Sequence, residues 1–368
     1  MPGKRTFGGA LLALLLLTAA CGGDDDEASD DATTDEDAPD TTEPAGDGAA
    51  SDDPYAPQPL DERGELTFSL SGNFEFVFPV QLAVEMGEFD KENLDVEIIT
   101  ISATEQLADL AGGQADVAGI GAAAAAMNAV DQGIELQFFQ NTHDAPSPGT
   151  SEGLWVDKDK LTDDGELDPD QVDGLRIVLG TQKEASPTVY VLKTALDAVD
   201  KEVGDVEVMG LNPNADSLVA LQNGAVDGAH LLSPFSDDPG LAECCALVQE
   251  TIPAGKYAAM KEDLEGEPEL YEAFVRALVR TQRTYLQGNY HQDPEVAPIL
   301  AEFTGAPQET VEAAATWYGF GDEARNDEEM VEELQDMWLG FGEILSYDEA
   351  HPVEDFSTQA VVEAVNAG

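Results

Sequence analysis

Basic side chains are scarce in this chain. Lys and Arg number 16 against 76 Asp and Glu, which leaves a formal net charge of −60. Repulsion on that scale excludes nucleic acid as a partner. The acidic residues stay dense to the C-terminus, so an acidic tail explains only part of the balance; adaptation to salty surroundings and plain solubility are both open as its cause. Cysteine is also scarce. Of the three, Cys21 stands near the N-terminus, and Cys244 and Cys245 are adjacent in LAECCALV. No His or Cys lies at a ligand spacing beside that pair, so it does not suggest a metal site. A vicinal disulfide and two buried free thiols remain open for it. No constellation of Ser, His and Asp stands out, and neither a cofactor nor catalysis is expected. Past the N-terminal leader the chain lacks any run of about eighteen apolar residues, the length a spanning helix needs.

What is present begins with an address. Lys4 and Arg5 precede an apolar stretch, Leu11 to Leu17, too short to span a bilayer, and Thr18, Ala19 and Ala20 lead into Cys21. Residues 1–20 resemble a bacterial lipoprotein signal, which implies that Cys21 is lipidated and becomes the mature N-terminus. Residues 21–62 are rich in Asp, Thr, Ala and Pro and hold almost no apolar side chains. Such a segment buries too little surface to offset its ordering entropy and is expected to be a disordered, self-repelling tether.

The rest alternates strand and helix. LTFSLSG (66–72) has strand periodicity, PVQLAVEMGEF (79–89) has helical spacing with Gly87 near its stop, and LDVEIITI (94–101) is a second strand. Ser102 and Glu105 form a capping box that opens a helix ended by Gly112 and Gly113, and ADVAGIG follows as a buried strand. The pattern then recurs. LRIVLG (175–180) is a strand, Ser186 followed by Pro187 marks a helix start, and DVEVMGL (205–211) is a strand. Leu107, Leu110, Gly113, Asp116 and Ala118 match Leu218, Leu221, Gly224, Asp227 and Ala229 at a constant offset of 111. One α/β unit is therefore used twice, and Asp116 and Asp227 are read as turn residues. From residue 268 the chain is helical, with Leu270, Phe274, Leu278, Thr281 and Tyr285 on one stripe.

The order of LAVEMGEFDKENLDVEII, LADLAGGQADVAGIG, VDGLRIVLG, LVALQNGAVDGA and PILAEFTG (298–305) resembles the NitT/TauT-type solute-binding lipoproteins of ABC importers, over about residues 65–345. The resemblance implies an α/β, two-lobed periplasmic-binding-protein-like fold of type II, with a sheet flanked by helices in each lobe and a helical C-terminal region. It implies one lobe from 63–145, a second from 146–250, and a return to the first over 251–368. It also implies a monomer that holds a small solute between lobes joined by two hinge strands, with permease and ATPase subunits as partners and the outer face of the cytoplasmic membrane as its place. The same fold class includes binders of sulfonate, nitrate, aromatic acids and thiamine pyrimidines, and a pyrimidine-precursor synthase. That enzyme would need a cofactor lysine and a cysteine-rich motif, and CC alone is not that motif. A sensor lipoprotein that reuses the fold is a further alternative.

In open α/β sheets ligands bind beyond the carboxyl ends of the strands. The candidates are then Asn73, Phe74, Phe76 and Phe78 after the first strand, Ser102 and Thr104 after the second, and Gly119 and Gly121 at the end of the third. The second half offers Thr181, Lys183, Ser186, His230 and Ser233, and His143 lies in a loop placed at a hinge. Lys183 is the single basic residue in these loops. Phenylalanines near the mouth suit a flat solute, which points to a neutral or cationic nitrogen heterocycle such as a thiamine-pyrimidine precursor. Helix N-termini at Ser102 and Ser186 offer an anion an alternative seat.

Overall fold

The structure, a computed structural model, describes residues 53–144, 149–211 and 215–368, without the side chain of Thr104. The leader, Cys21 and most of the expected tether lie outside the described residues. Ten strands are β1 (Gly64–Leu70), β2 (Leu94–Thr100), β3 (Val117–Gly121), β4 (Leu136–Asn141), β5 (Gly153–Asp157), β6 (Arg176–Leu179), β7 (Glu207–Gly210), β8 (Gly228–Leu231), β9 (Cys245–Glu250) and β10 (Gly255–Met260). The helices are α1 (Phe78–Glu85), α2 (Ala103–Ala111), α3 (Ala124–Asp131), α4 (Val189–Asp197), α5 (Ala215–Gln222), α6 (Leu241–Cys244), α7 (Lys261–Gly266), α8 (Pro268–Tyr285), α9 (Val296–Thr304), α10 (Gln308–Ala313), α11 (Glu329–Phe341) and α12 (Ala360–Ala367). None of the described helices is long and apolar enough to cross a membrane.

Two five-stranded sheets form, in the orders β2-β1-β3-β10-β4 and β7-β6-β8-β5-β9. In each, three parallel strands are followed by one antiparallel strand that carries the edge strand beyond it. The chain crosses between the sheets twice, after β4 and after β9.

The sequence repeat has a physical basis in these sheets. Asp116 Oδ2 accepts the Thr67 amide at 2.6 Å, and Asp227 Oδ2 accepts the Arg176 amide at 2.9 Å. Each Asp thus ties the turn before its strand to the neighbouring parallel strand, at the middle of β1 and at the first residue of β6. Gly113 and Gly224 sit at φ +64° and +71°, a region that a residue with a Cβ rarely adopts, and so end α2 and α5.

The first sheet buries an aromatic core in which Phe68 meets Tyr257 edge-on at 5.9 Å and Phe89 stacks on Phe274 at 5.5 Å. The α8 stripe is wider than its spacing suggested, since Tyr271, Ala273, Val275, Ala277 and Val279 are buried as well. Cys244 and Cys245 are joined in a disulfide.

Residues 53–62, read from composition as the end of the tether, are instead docked on the domain. Tyr55 is 1% exposed. Its carbonyl accepts from Arg280 Nη1 at 3.0 Å, and Arg283 lies 4.1 Å over its ring. Arg276 and Arg280 also pair with the buried carboxylates of Glu88 and Glu92. Composition missed this segment because its partners are distant in sequence, Glu92 and Asn93 before β2 and the arginines of α8.

Candidate solute-binding cleft

The strand ends of both sheets converge on one cavity of about 430 Å³, within the range of small-molecule sites. Ser71 follows β1, Ser102 follows β2, Gly121 ends β3, Gly180 and Thr181 follow β6, and Leu232 follows β8; all line it. The second crossing adds Thr251, Ile252 and Ala254, and the C-terminal region adds Tyr318. The two lobes approach closely here, since a Cβ on Gly121 would stand 3.2 Å from Pro187 Cγ.

One wall is aromatic. Phe74 and Phe76 stack at 5.5 Å and 7°, Phe76 lies 5.9 Å from the His143 ring, and His143 meets Tyr318 edge-on at 4.8 Å. Thr142 Oγ1 lies 2.9 Å from His143 Nδ1 and fixes the ring. Gly255 makes room for that arrangement, because a Cβ there would come within 2.2 Å of Thr142 Oγ1. On the other side His230 Nε2 pairs with Thr251 Oγ1 at 2.9 Å.

Burial sets the charge state of this wall. Desolvation, with the nearby Lys256 charge, pushes His143 down to about 3, and desolvation pushes His230 down to about 4. Both rings are neutral at pH 7. Behind Tyr318 lies a buried acidic cluster. Glu152 accepts the Ser233 amide at 2.6 Å, and burial, reinforced by the charge of Glu75, raises its carboxyl to about 8. Glu75 in turn accepts from His291 Nε2 at 2.6 Å and from the Tyr290 hydroxyl. Among the described residues no group of three or more His, Cys, Asp or Glu could hold a metal ion.

No protein-family model and no curated protein matches the chain. Solved structures do. The periplasmic nitrate-binding protein NrtA from Synechocystis PCC 6803 superposes with a TM-score of 0.64 at 14% identity, over 84% of this chain and 90% of that one. A ligand-binding component of an ABC-type import system from Staphylococcus aureus, solved with zinc bound, gives 0.61 at 13% identity, over 82% and 98%. The alkanesulfonate-binding protein SsuA from Xanthomonas axonopodis pv. citri, bound to MOPS, gives 0.55 at 14% identity, over 83% and 99%. This is the periplasmic-binding-protein fold.

In this binding-protein fold the sequence candidates divide. Phe74, Phe76, Ser102, Gly119, Gly121, His143, Thr181, Ser186 and His230 all line the cavity. Phe78 does not, because it opens α1 and is 0% exposed against Phe303 in the core. Asn73 is exposed and outside the lining, and Ser233 is buried behind the wall. Lys183 also stands outside the lining, at φ +55° with its Cγ toward Gly210, so the expected basic partner for an anion is not in the wall. The side chain of Thr104 lies outside the described residues. Ser186 accepts the Thr188 amide at 3.4 Å, and α4 begins at Val189, two residues later than its Ser-Pro signal suggested. Ser71, Gln106, Thr188, Thr251 and Tyr318 line the cavity without having been anticipated. For Ser71 and Thr251 the strand-end rule was signal enough. Tyr318 arrives from a segment whose local pattern says nothing of the cleft.

Proposed function

We propose that this chain is the extracytoplasmic solute-binding component of an ABC importer and is not an enzyme. The observation that carries the reading is the cavity between the two sheets, lined by strand ends of both. The likeness to an import-system binding component, a nitrate-binding protein and an alkanesulfonate-binding protein supports it. So does the order of the sequence motifs that resemble the NitT/TauT type. Residues 63–145 and 251–368 are read as one lobe and 146–250 as the other. Cys21 is read as the lipid attachment that holds a monomer outside the cytoplasmic membrane, beside permease and ATPase subunits.

The solute is read as a small nitrogen heterocycle, of which a thiamine-pyrimidine precursor is an example. The aromatic wall supports that choice over a sulfonate or nitrate. A solute that touches both lobes binds the closed form better and shifts the population toward it. X-ray scattering during titration with a wide panel of heterocycles, aromatic acids, sulfonates, nitrate and polyamines tests this. A stabilising solute should also compact the protein. Stabilisation without compaction would refute closure.

A further inference from the structure

Two features of the cavity bear on the solute's ionisation state. The first is that, among the described residues, no Asp, Glu, Lys or Arg lines it, although the chain carries a net charge of −60. The titratable groups in the wall are His143, His230 and Tyr318. The charges packed nearest are already engaged. Lys256 directs its Nζ to Asn141 Oδ1 at 2.6 Å, to Asn326 Oδ1 at 3.2 Å and to the Asp327 carbonyl. On the far side of Tyr318, Glu75 Oε1 accepts from His291 and Tyr290, and burial holds Glu152 in its protonated, uncharged form. At the start of α3, where Ala123, Ala125 and Ala126 line the cavity, an anion would meet backbone amides with no side-chain cation beside them among the described residues, and the starts of α2 and α4 offer less. At α2 the Ser102 amide and hydroxyl both bond to Glu105, whose carboxylate sets a negative charge where an anion would sit. At α4 Pro187 has no N–H, and the Thr188, Val189 and Tyr190 amides are directed to Ser186 Oγ, the Ser186 carbonyl and the Pro187 carbonyl. A charged solute would lose its hydration in an apolar, neutral chamber without gaining a counter-charge.

The second feature is His143. The residue is 6% exposed, its Nδ1 is engaged with Thr142, and among the described residues its Nε2 has no hydrogen-bond partner. The ring is fixed between Phe76 and Tyr318 in the cavity wall. A ring nitrogen left without a protein partner in the cavity wall is open to the solute, which can supply the missing hydrogen bond.

We propose that the cleft takes its solute in an uncharged form, as a planar heteroaromatic ring that continues the Phe74–Phe76 stack, and that His143 Nε2 is the specificity-determining contact to its polar edge. The inference rests on the solute-binding reading and deepens it. A site built to hydrogen-bond a polar edge discriminates strongly against solutes that leave its group bare.

The test is calorimetric titration of the intact chain with matched planar solutes that differ in charge: nicotinamide, nicotinate and 1-methylnicotinamide, with nitrate and methanesulfonate beside them. Nicotinamide is expected to bind at least about tenfold more tightly than each of the other four at pH 7. Tighter binding of any charged probe overturns the inference and leaves a solute-binding protein standing. Failure of all five probes also overturns it, while compaction with the wider panel judges the solute-binding reading separately. His143→Gln keeps a polar group and is expected to retain most of the nicotinamide affinity, whereas His143→Phe should lose about tenfold or more. Equal affinity in the two variants, with both folded by circular dichroism, would remove His143 from its role.

Discussion

The Trp338 indole donates to the Glu184 carbonyl at 2.8 Å, joining α11 to the turn before α4 across 154 residues. Trp338 is fully buried, in a core that also holds Val189, Leu192 and Leu196 of α4 and Met127 of α3. Helix α11 is therefore a bolt between the two sheets' outer helices. Trp338→Ala should lower stability by about 3–5 kcal/mol, the usual cost of a large cavity left by an aromatic side chain. Chemical denaturation checks the size of the loss. A change below about 1 kcal/mol would show that α11 merely rests on the surface.

The docked N-terminal segment depends on Arg280, which binds Glu88, Glu92 and the carbonyls of Tyr55 and Glu88. Arg280→Ala leaves two buried carboxylates short of a partner, a change that costs about 3–5 kcal/mol. Limited proteolysis should then cut between residues 53 and 62 well before it cuts the sheets. Unchanged protection of that segment would assign its docking to Tyr55 packing and to the Gln58 and Leu60 bonds with Glu92 and Arg276.

Phe74 and Phe78 stand four residues apart and should answer differently to truncation. Phe78→Ala empties a core site and should lose about 3–5 kcal/mol of stability. Phe74→Ala removes a cavity wall and should cost under about 1.5 kcal/mol while abolishing most solute-dependent stabilisation. Thermal shifts with and without a bound solute separate the two. Equal destabilisation would mean that Phe74 belongs to the core.

Stability should fall as pH rises from about 6.5 to 8. Burial, reinforced by Glu75, holds Glu152 protonated in the folded state up to about 8, against an ordinary 4.5. The folded protein then binds the extra proton, so stability is full below the unfolded value and is lost as pH rises through the folded one, by up to about 1.4 kcal/mol per unit. His143 and His230 act oppositely. Their folded values of about 3 and about 4 lie below the ordinary 6.5, so their contribution is present above 6.5 and is lost as pH falls. Glu152→Gln should flatten the slope between pH 6.5 and 8 in denaturation curves. An unchanged slope would mean that Glu152 is ionised throughout.

Much of this architecture was legible locally. The Ser102–Glu105 capping box and the glycines that end α2 and α5 follow from short-range backbone chemistry, and the repeat placed Asp116 and Asp227 at matching turns, although the strand residue each ties lies 49 or 51 residues away. The strand-end rule located the cleft because parallel strands point their carboxyl ends the same way. The same rule failed at Phe78 and Ser233, where one turn of chain decides whether a side chain faces the cleft or the core. Burial is a property of the packed molecule, so the neutral state of His143 and His230 had no sequence signal either.

By itself the sequence determined the doubled α/β unit, the placing of its turns and the loops that meet at the cleft, since these depend on periodicity and capping within a few residues. Only the tertiary structure decided that Tyr318 completes the wall, that Trp338 bolts the sheets' outer helices together, and that Lys183 stays out of the lining. Those outcomes rest on contacts between distant segments, where packing and desolvation set the energy and local pattern is silent.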